Sequence, residues 1–200
     1  MPTLLTKPIS NTVSIAVWQI TETEEFFYSS LRLSCEDTER IRHCKMQKVR
    51  LQKLACRAAL AELLGTKEIN ITYLKTGQPQ IENHSISFSH TEKTVAVACA
   101  KIPVGIDIEE MKPRILSLYP RFMSEKEIEM CNINNLSELY YIWCAKEAMY
   151  KWFAKKNVDF ISDLFVNNNK GVICNHLSVN LTPMVIDPFM MVVCSSESNI

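Results

Sequence analysis

Four glycines in 200 residues, Gly65, Gly77, Gly105 and Gly171, stand too far apart to build a glycine-rich phosphate loop. Neither a P-loop nor a Gly-x-Gly-x-x-Gly pattern is present. The eight cysteines include no Cys-x-x-Cys pair and no Cys/His cluster at zinc spacing, which removes the common zinc modules and leaves reduced thiols in a cytoplasmic protein as the simplest account. Charge of one sign is not in excess: 22 Lys and Arg balance 22 Asp and Glu, so no global field draws the chain to nucleic acid or to a membrane. Long hydrophobic runs are missing as well. No segment reaches the roughly 20 apolar residues of a membrane span, and Met1–Ser10 has no continuous apolar core of the kind a secretion signal carries. What is there is an ordinary soluble globular composition, 47% hydrophobic and 22% charged. The chain is long enough to bury a core without disulfides or structural metal.

Along the chain, helical and strand patterns mix without a regular βαβ alternation, so an α+β fold is expected. Val13–Ile20 alternates as a first strand and Glu22–Leu33 reads as a short helix. Asp37–Leu64 is rich in helix formers and stops at Gly65. Ile69–Leu74, Ser85–Ser89, Thr94–Ala100 and Val104–Glu109 read as strands, with Pro103 breaking the run between the last two. Ser124 with Glu127 three residues on is a capping-box signature. Ser137–Lys156 reads as a long helix, Asn167–Asn169 as a turn between short strands, Met190–Cys194 as a last strand and Ser195–Ile200 as a loose tail.

Three constellations carry possible chemistry. In Val104-Gly105-Ile106-Asp107-Ile108-Glu109, strand alternation puts Asp107 and Glu109 on one face and Ile106 and Ile108 on the other. Same-face neighbours lie about 7 Å apart, so the pair is either a wet acidic edge or part of an oxygen site for a hard cation such as Mg²⁺. In the long helix, Trp143, Glu147 and Lys151 follow one another at i, i+4 and i+8, while Leu139, Ile142, Met149 and Phe153 lie on a different, core-like face. That stripe is either a surface ion pair or a half-buried wall facing a polar site. Ser89-His90-Thr91 ends a strand and is either a solvated turn or a phosphate cradle with His90 as donor. A basic run also stands out. From Arg40 to Arg57 there are seven Lys and Arg, with His43, and no acid. It is either a solvated helical face or a site for phosphates or an acidic partner protein.

Read in order, these pieces resemble the 4′-phosphopantetheinyl transferase family, in particular its larger, two-lobed members. The family's Ser-His-[Ser/Thr] step stands here as Ser89-His90-Thr91, its Gly-[Ile/Val]-Asp-x-Glu as Gly105 to Glu109, and its Trp-x-x-Lys-Glu-Ala-x-x-Lys as Trp143 to Lys151. A Phe-x-x-x-x-Glu element lies between the last two as Phe122 to Glu127, with Arg114 upstream. The resemblance runs from about residue 50 to residue 156. One departure is Gly77-Gln78-Pro79, where the family commonly has Gly-Lys-Pro.

The resemblance implies two similar α/β lobes related by a pseudo-two-fold, residues 1–102 and 103–200, with coenzyme A in the cleft between them and the metal site in the second. It implies Asp107, Glu109 and Glu147 as Mg²⁺ ligands, and Lys151 on the pyrophosphate. It also implies Ser89, His90 and Arg57 on the coenzyme phosphates, Arg57 at the 3′-phosphate. The expected reaction moves the 4′-phosphopantetheine group to a serine of an acyl or peptidyl carrier protein and releases 3′,5′-ADP, with Glu147 and Lys151 as the catalytic pair. Glu147, or a water that it holds, would take the serine proton. A cytoplasmic monomer is expected. The alternative is a catalytically silent relative that binds coenzyme A or a carrier protein.

Overall fold

The computed structural model describes residues 3–196. The chain divides into two compact units, Met1–Ile102 and Pro103–Ile200. Each is a helix-on-sheet assembly of the mixed α+β class.

The first unit comprises strand β1 (Thr3–Pro8), β2 (Val13–Gln19), helix α1 (Glu24–Ser30), β3 (Arg32–Leu33), α2 (Cys35–Arg42), α3 (Gln47–Leu64), β4 (Glu68–Ile69), β5 (Thr72–Tyr73), β6 (Pro79–Ile81), β7 (His84–His90) and β8 (Thr94–Ala100). Six strands form one antiparallel sheet in the order β1-β2-β8-β7-β6-β5, while β3 and β4 make a small parallel pair. α3 lies across β8 and β2. Its buried Ala55, Ala58, Ala59 and Ala61 let it approach the sheet closely, and Leu54 and Leu60 fill the layer between.

The helix-rich stretch 37–64 proves to be two helices rather than one, because His43–Met46 breaks it. Arg50 explains how the break is held. Its Nη1 donates to the carbonyls of Cys44 at 2.8 Å and Lys45 at 3.2 Å, and its Nε donates to both oxygens of Glu24. The carbonyls freed by the break thus find a donor.

The second unit comprises β9 (Val104–Glu110), two short 3-10 turns at Pro113–Ser117 and Tyr119–Arg121, α4 (Glu125–Met130), α5 (Leu136–Phe153), β10 (Leu164–Asn167), β11 (Lys170–Ile173), β12 (Leu177–Ile186) and β13 (Phe189–Ser196). Its sheet is antiparallel with the order β10-β11-β12-β13-β9. The strand at the motif's start therefore pairs with the last strand of the chain, Asp107 opposite Val192 and Glu109 opposite Met190. α5 packs on β9 and β13 and buries Leu139, Ile142 and Met149, as the periodicity predicts, with Phe153 half-buried. Ser124 caps α4, and the capping box with Glu127 is formed in both directions. Of the loose tail expected at 195–200, Ser195 and Ser196 belong instead to β13, and residues 197–200 lie outside the described residues. Among the described residues no helix is long and apolar enough to cross a membrane.

Candidate functional site

Gly105 fixes where strand meets helix in the second unit. A Cβ placed on it would stand 2.0 Å from the carbonyl oxygen of Ala148 and 2.9 Å from the amide nitrogen of Trp152, so only glycine lets β9 come this close to α5. The strand then runs along the helix, bringing Asp107 to Lys151 and Glu109 to Trp143. Lys151 Nζ donates to Asp107 Oδ1 at 2.7 Å and to the carbonyl of Ile106 at 2.9 Å. Trp143 Nε1 donates to Glu109 Oε1 at 3.3 Å. Ile106 and Ile108 are fully buried on the opposite face of β9, as strand alternation requires.

Glu147 completes the group, half-buried on α5 one residue before the Gly105 contact. Its carboxyl is pushed up to about 7, first by burial and then by the negative charge of Asp107, with Glu109 adding to the rise and Lys151 opposing it. Glu109 is likewise raised by burial and by Asp107. Mutual repulsion among three carboxylates, relieved in part by one lysine, is the electrostatic character of the site. Among the described residues no three His, Cys, Asp or Glu side chains converge tightly enough to form a ready metal cluster. The donor set is nonetheless of the right chemistry for a hard divalent cation. It consists of carboxylate oxygens alone, and their repulsion is what such an ion would relieve.

Beside Glu109 and Glu147 opens a cavity of about 610 Å³. Phe122, Trp143 and Phe160 wall it, with Arg114 and Arg121 also lining it. The rings form a chain, Phe122 to Trp143 at 5.0 Å between centroids and Trp143 to Phe160 at 5.8 Å. The i, i+4, i+8 stripe is thus a wall and not a surface ion pair, since Lys151 bonds to Asp107 on the strand. Phe160 has no counterpart in the sequence reading. It is a lone aromatic in a stretch without periodicity, so nothing local marks it.

The remaining expected residues belong to the first unit. Ser89 and His90 end β7, opposite Ala96 and Val95 of β8, with Ser89 buried and His90 exposed. Arg57 is 3% exposed. Its Nε and Nη2 donate to the two oxygens of Asp37 at 2.9 and 2.7 Å, and Nη2 also donates to Tyr73 Oη. A phosphate would reach that guanidinium only in exchange for Asp37. Gln78 lies in the turn between β5 and β6, where Gly77 adopts φ 89°.

Residues 103–183 match the family model of the 4′-phosphopantetheinyl transferase superfamily. That segment makes up most of the second unit, which is similar to the superfamily. Among named relatives, the chain is 36% identical over 80 residues to the 4′-phosphopantetheinyl transferase psf-1 of Bacillus pumilus, covering 38% of this chain and 34% of that protein. It is 32% identical over 83 residues to the transferase ffp of Bacillus subtilis, covering 40% and 37%. It is 25% identical over 127 residues to the transferase gsp of Aneurinibacillus migulanus, covering 60% and 54%. The chain spans about half, or less, of the length of these curated relatives. The superfamily match takes in the whole carboxylate site: Gly105, Asp107, Glu109, Glu147 and Lys151 all fall inside it.

Proposed function

We propose that this protein transfers the 4′-phosphopantetheine group of coenzyme A to a serine of an acyl or peptidyl carrier protein, with Mg²⁺, and releases 3′,5′-ADP. The observation that carries the reading is the grouping of Asp107, Glu109, Glu147 and Lys151 at the β9–α5 contact, inside the segment that matches the superfamily.

Asp107, Glu109 and Glu147 would hold the ion, which supplies positive charge to the pyrophosphate oxygens as the phosphoryl group transfers. The serine Oγ attacks the β-phosphorus, and the bond to the bridging oxygen breaks with its electron pair leaving on 3′,5′-ADP. Glu147, or a water that it holds, takes the serine proton. Lys151, anchored on Asp107, provides a fixed ammonium where negative charge collects. In the first unit Ser89 and His90 are assigned to the coenzyme phosphates, and Arg57 to the 3′-phosphate if Asp37 yields it. We place the protein in the cytoplasm as a monomer; none of its eight cysteines forms a disulfide among the described residues, in keeping with a reducing compartment.

Gln78, where the family commonly carries lysine, favours one other reading, a silent relative that binds coenzyme A without transfer. Intact-mass measurement of an apo acyl carrier protein after incubation with this protein, coenzyme A and Mg²⁺ separates the two. A gain of one phosphopantetheine, abolished by EDTA, is expected. Coenzyme A binding with no mass gain across several carrier proteins would establish the silent relative instead.

A further inference from the structure

Lys146 is a fully buried ammonium with 0% exposure, and the proposed chemistry does not use it. Its Nζ donates to Glu127 Oε2 at 2.6 Å, to the carbonyl of Phe160 at 2.7 Å and to the carbonyl of Phe122 at 2.8 Å. All three N–H bonds of the ammonium are therefore used. Glu127 is equally engaged: Oε2 also accepts from the amide and hydroxyl of Ser124, and Oε1 from the amide of Val166. One side chain thus ties α5 to the end of the second 3-10 turn, to α4 and to the loop that follows α5.

Two of those three ties are the backbone of Phe122 and Phe160, the residues whose rings flank Trp143. The third runs through Glu127 to β10. Lys146 also directly precedes Glu147 on the helix. We propose that Lys146 is a positioning residue: its buried ammonium pins Phe122 and Phe160 against Trp143 and so sets the aromatic wall of the cavity beside Glu109 and Glu147. The consequence for turnover rests on the transferase reading above, whereas the consequence for the wall does not. A buried ion pair adds little net stability and is better explained by what it holds in register.

The test uses a Trp18→Phe/Trp152→Phe background, in which Trp143 is the remaining tryptophan. Lys146→Met is compared with Asp37→Asn, which breaks the buried pair of the first unit. Both are measured at a temperature where circular dichroism reports them folded. Lys146→Met is expected to red-shift Trp143 emission and increase its quenching by acrylamide. It should lower kcat/KM about a hundredfold, the scale of an ångström-sized misplacement, while the Mg²⁺ concentration giving half-maximal rate stays within about threefold because the carboxylates are untouched. Asp37→Asn is expected to lose stability with Trp143 emission unchanged. Should Lys146→Met not fold, Lys146→Met/Glu127→Met leaves no buried charge unpaired and carries the same readouts. Unaltered Trp143 emission and quenching in a folded Lys146 variant would overturn the proposal. If wild-type protein transfers nothing, the emission result stands alone, and the failure is that of the transferase reading.

Discussion

Helix α3 of the first unit and α5 of the second each run 18 residues, lie on an antiparallel sheet and end at a left-handed residue, Gly65 and Ala154. Each also anchors a buried ion pair, Arg57 with Asp37 and Lys146 with Glu127. The difference lies in what else the helix presents. On α3 the sheet-facing side is alanine and leucine, and the arginine is bound to its neighbours Asp37 and Tyr73. On α5 the same kind of scaffold adds Glu147 and Lys151 next to a strand bearing Asp107 and Glu109. Burying these carboxylates beside one another costs stability, through burial first and mutual repulsion second, as the raised Glu147 and Glu109 indicate, and a well-packed core has to offset that cost. The buried pair is thus shared framework, and the repelling carboxylates are what distinguish the second unit.

The sharpest way to break the comparison is Glu147→Gln. It keeps the side-chain volume and removes one of the repelling charges. Transfer to an apo carrier protein should fall at least about a thousandfold, while the thermal midpoint measured in EDTA should stay level or rise because the repulsion is gone. Robust transfer by this variant would take Glu147 out of the ligand set. Lys151→Ala in the same assay should lose about a hundredfold, and exposed Lys156→Ala should match wild type.

Next in size is a pair of glycine substitutions, one in each unit. Gly105→Ala drives a methyl into the Ala148 carbonyl and must separate β9 from α5, at a cost of about 3 kcal/mol or more. Gly65→Ala meets nothing within 4 Å and suffers only its left-handed φ of 64°, about 1 kcal/mol. Denaturant unfolding checks both. Equal losses would mean that the close strand–helix approach does not control the second unit. Transfer should also fail in Gly105→Ala, because the displaced strand carries Asp107 and Glu109.

These contrasts explain how far the sequence could be read. Features carried by spacing within one element were legible: alternation placed Asp107 and Glu109 on one face, and Ser124 with Glu127 announced the start of α4. Features resting on contacts distant in sequence were not. Lys146 meets Glu127 across 19 positions and the Phe160 carbonyl across 14, with no period to betray either. The break at His43–Met46 depends on Arg50 reaching back to two carbonyls and out to Glu24. β12 escaped notice because it mixes polar with apolar residues and includes Pro183. That proline is tolerated because β11 pairs with β12 only as far as Asn180, leaving Pro183 with a neighbour on one side.

The smallest expected effect sharpens the comparison at the helix ends. α3 closes on Gly65 and α5 on Ala154, at φ values of 64° and 53°. The first residue takes this left-handed conformation freely, whereas the second pays for its Cβ. Ala154→Gly removes that strain and leaves the capping hydrogen bond from residue 154 N–H to the Tyr150 carbonyl in place. Stabilisation of about 0.5–1 kcal/mol is expected, less whatever glycine adds to the entropy of the unfolded chain. Thermal unfolding in EDTA measures it. A loss instead of a gain would mean that the methyl of Ala154 packs usefully where α5 ends, and that the two helix ends differ in packing as well as in backbone strain.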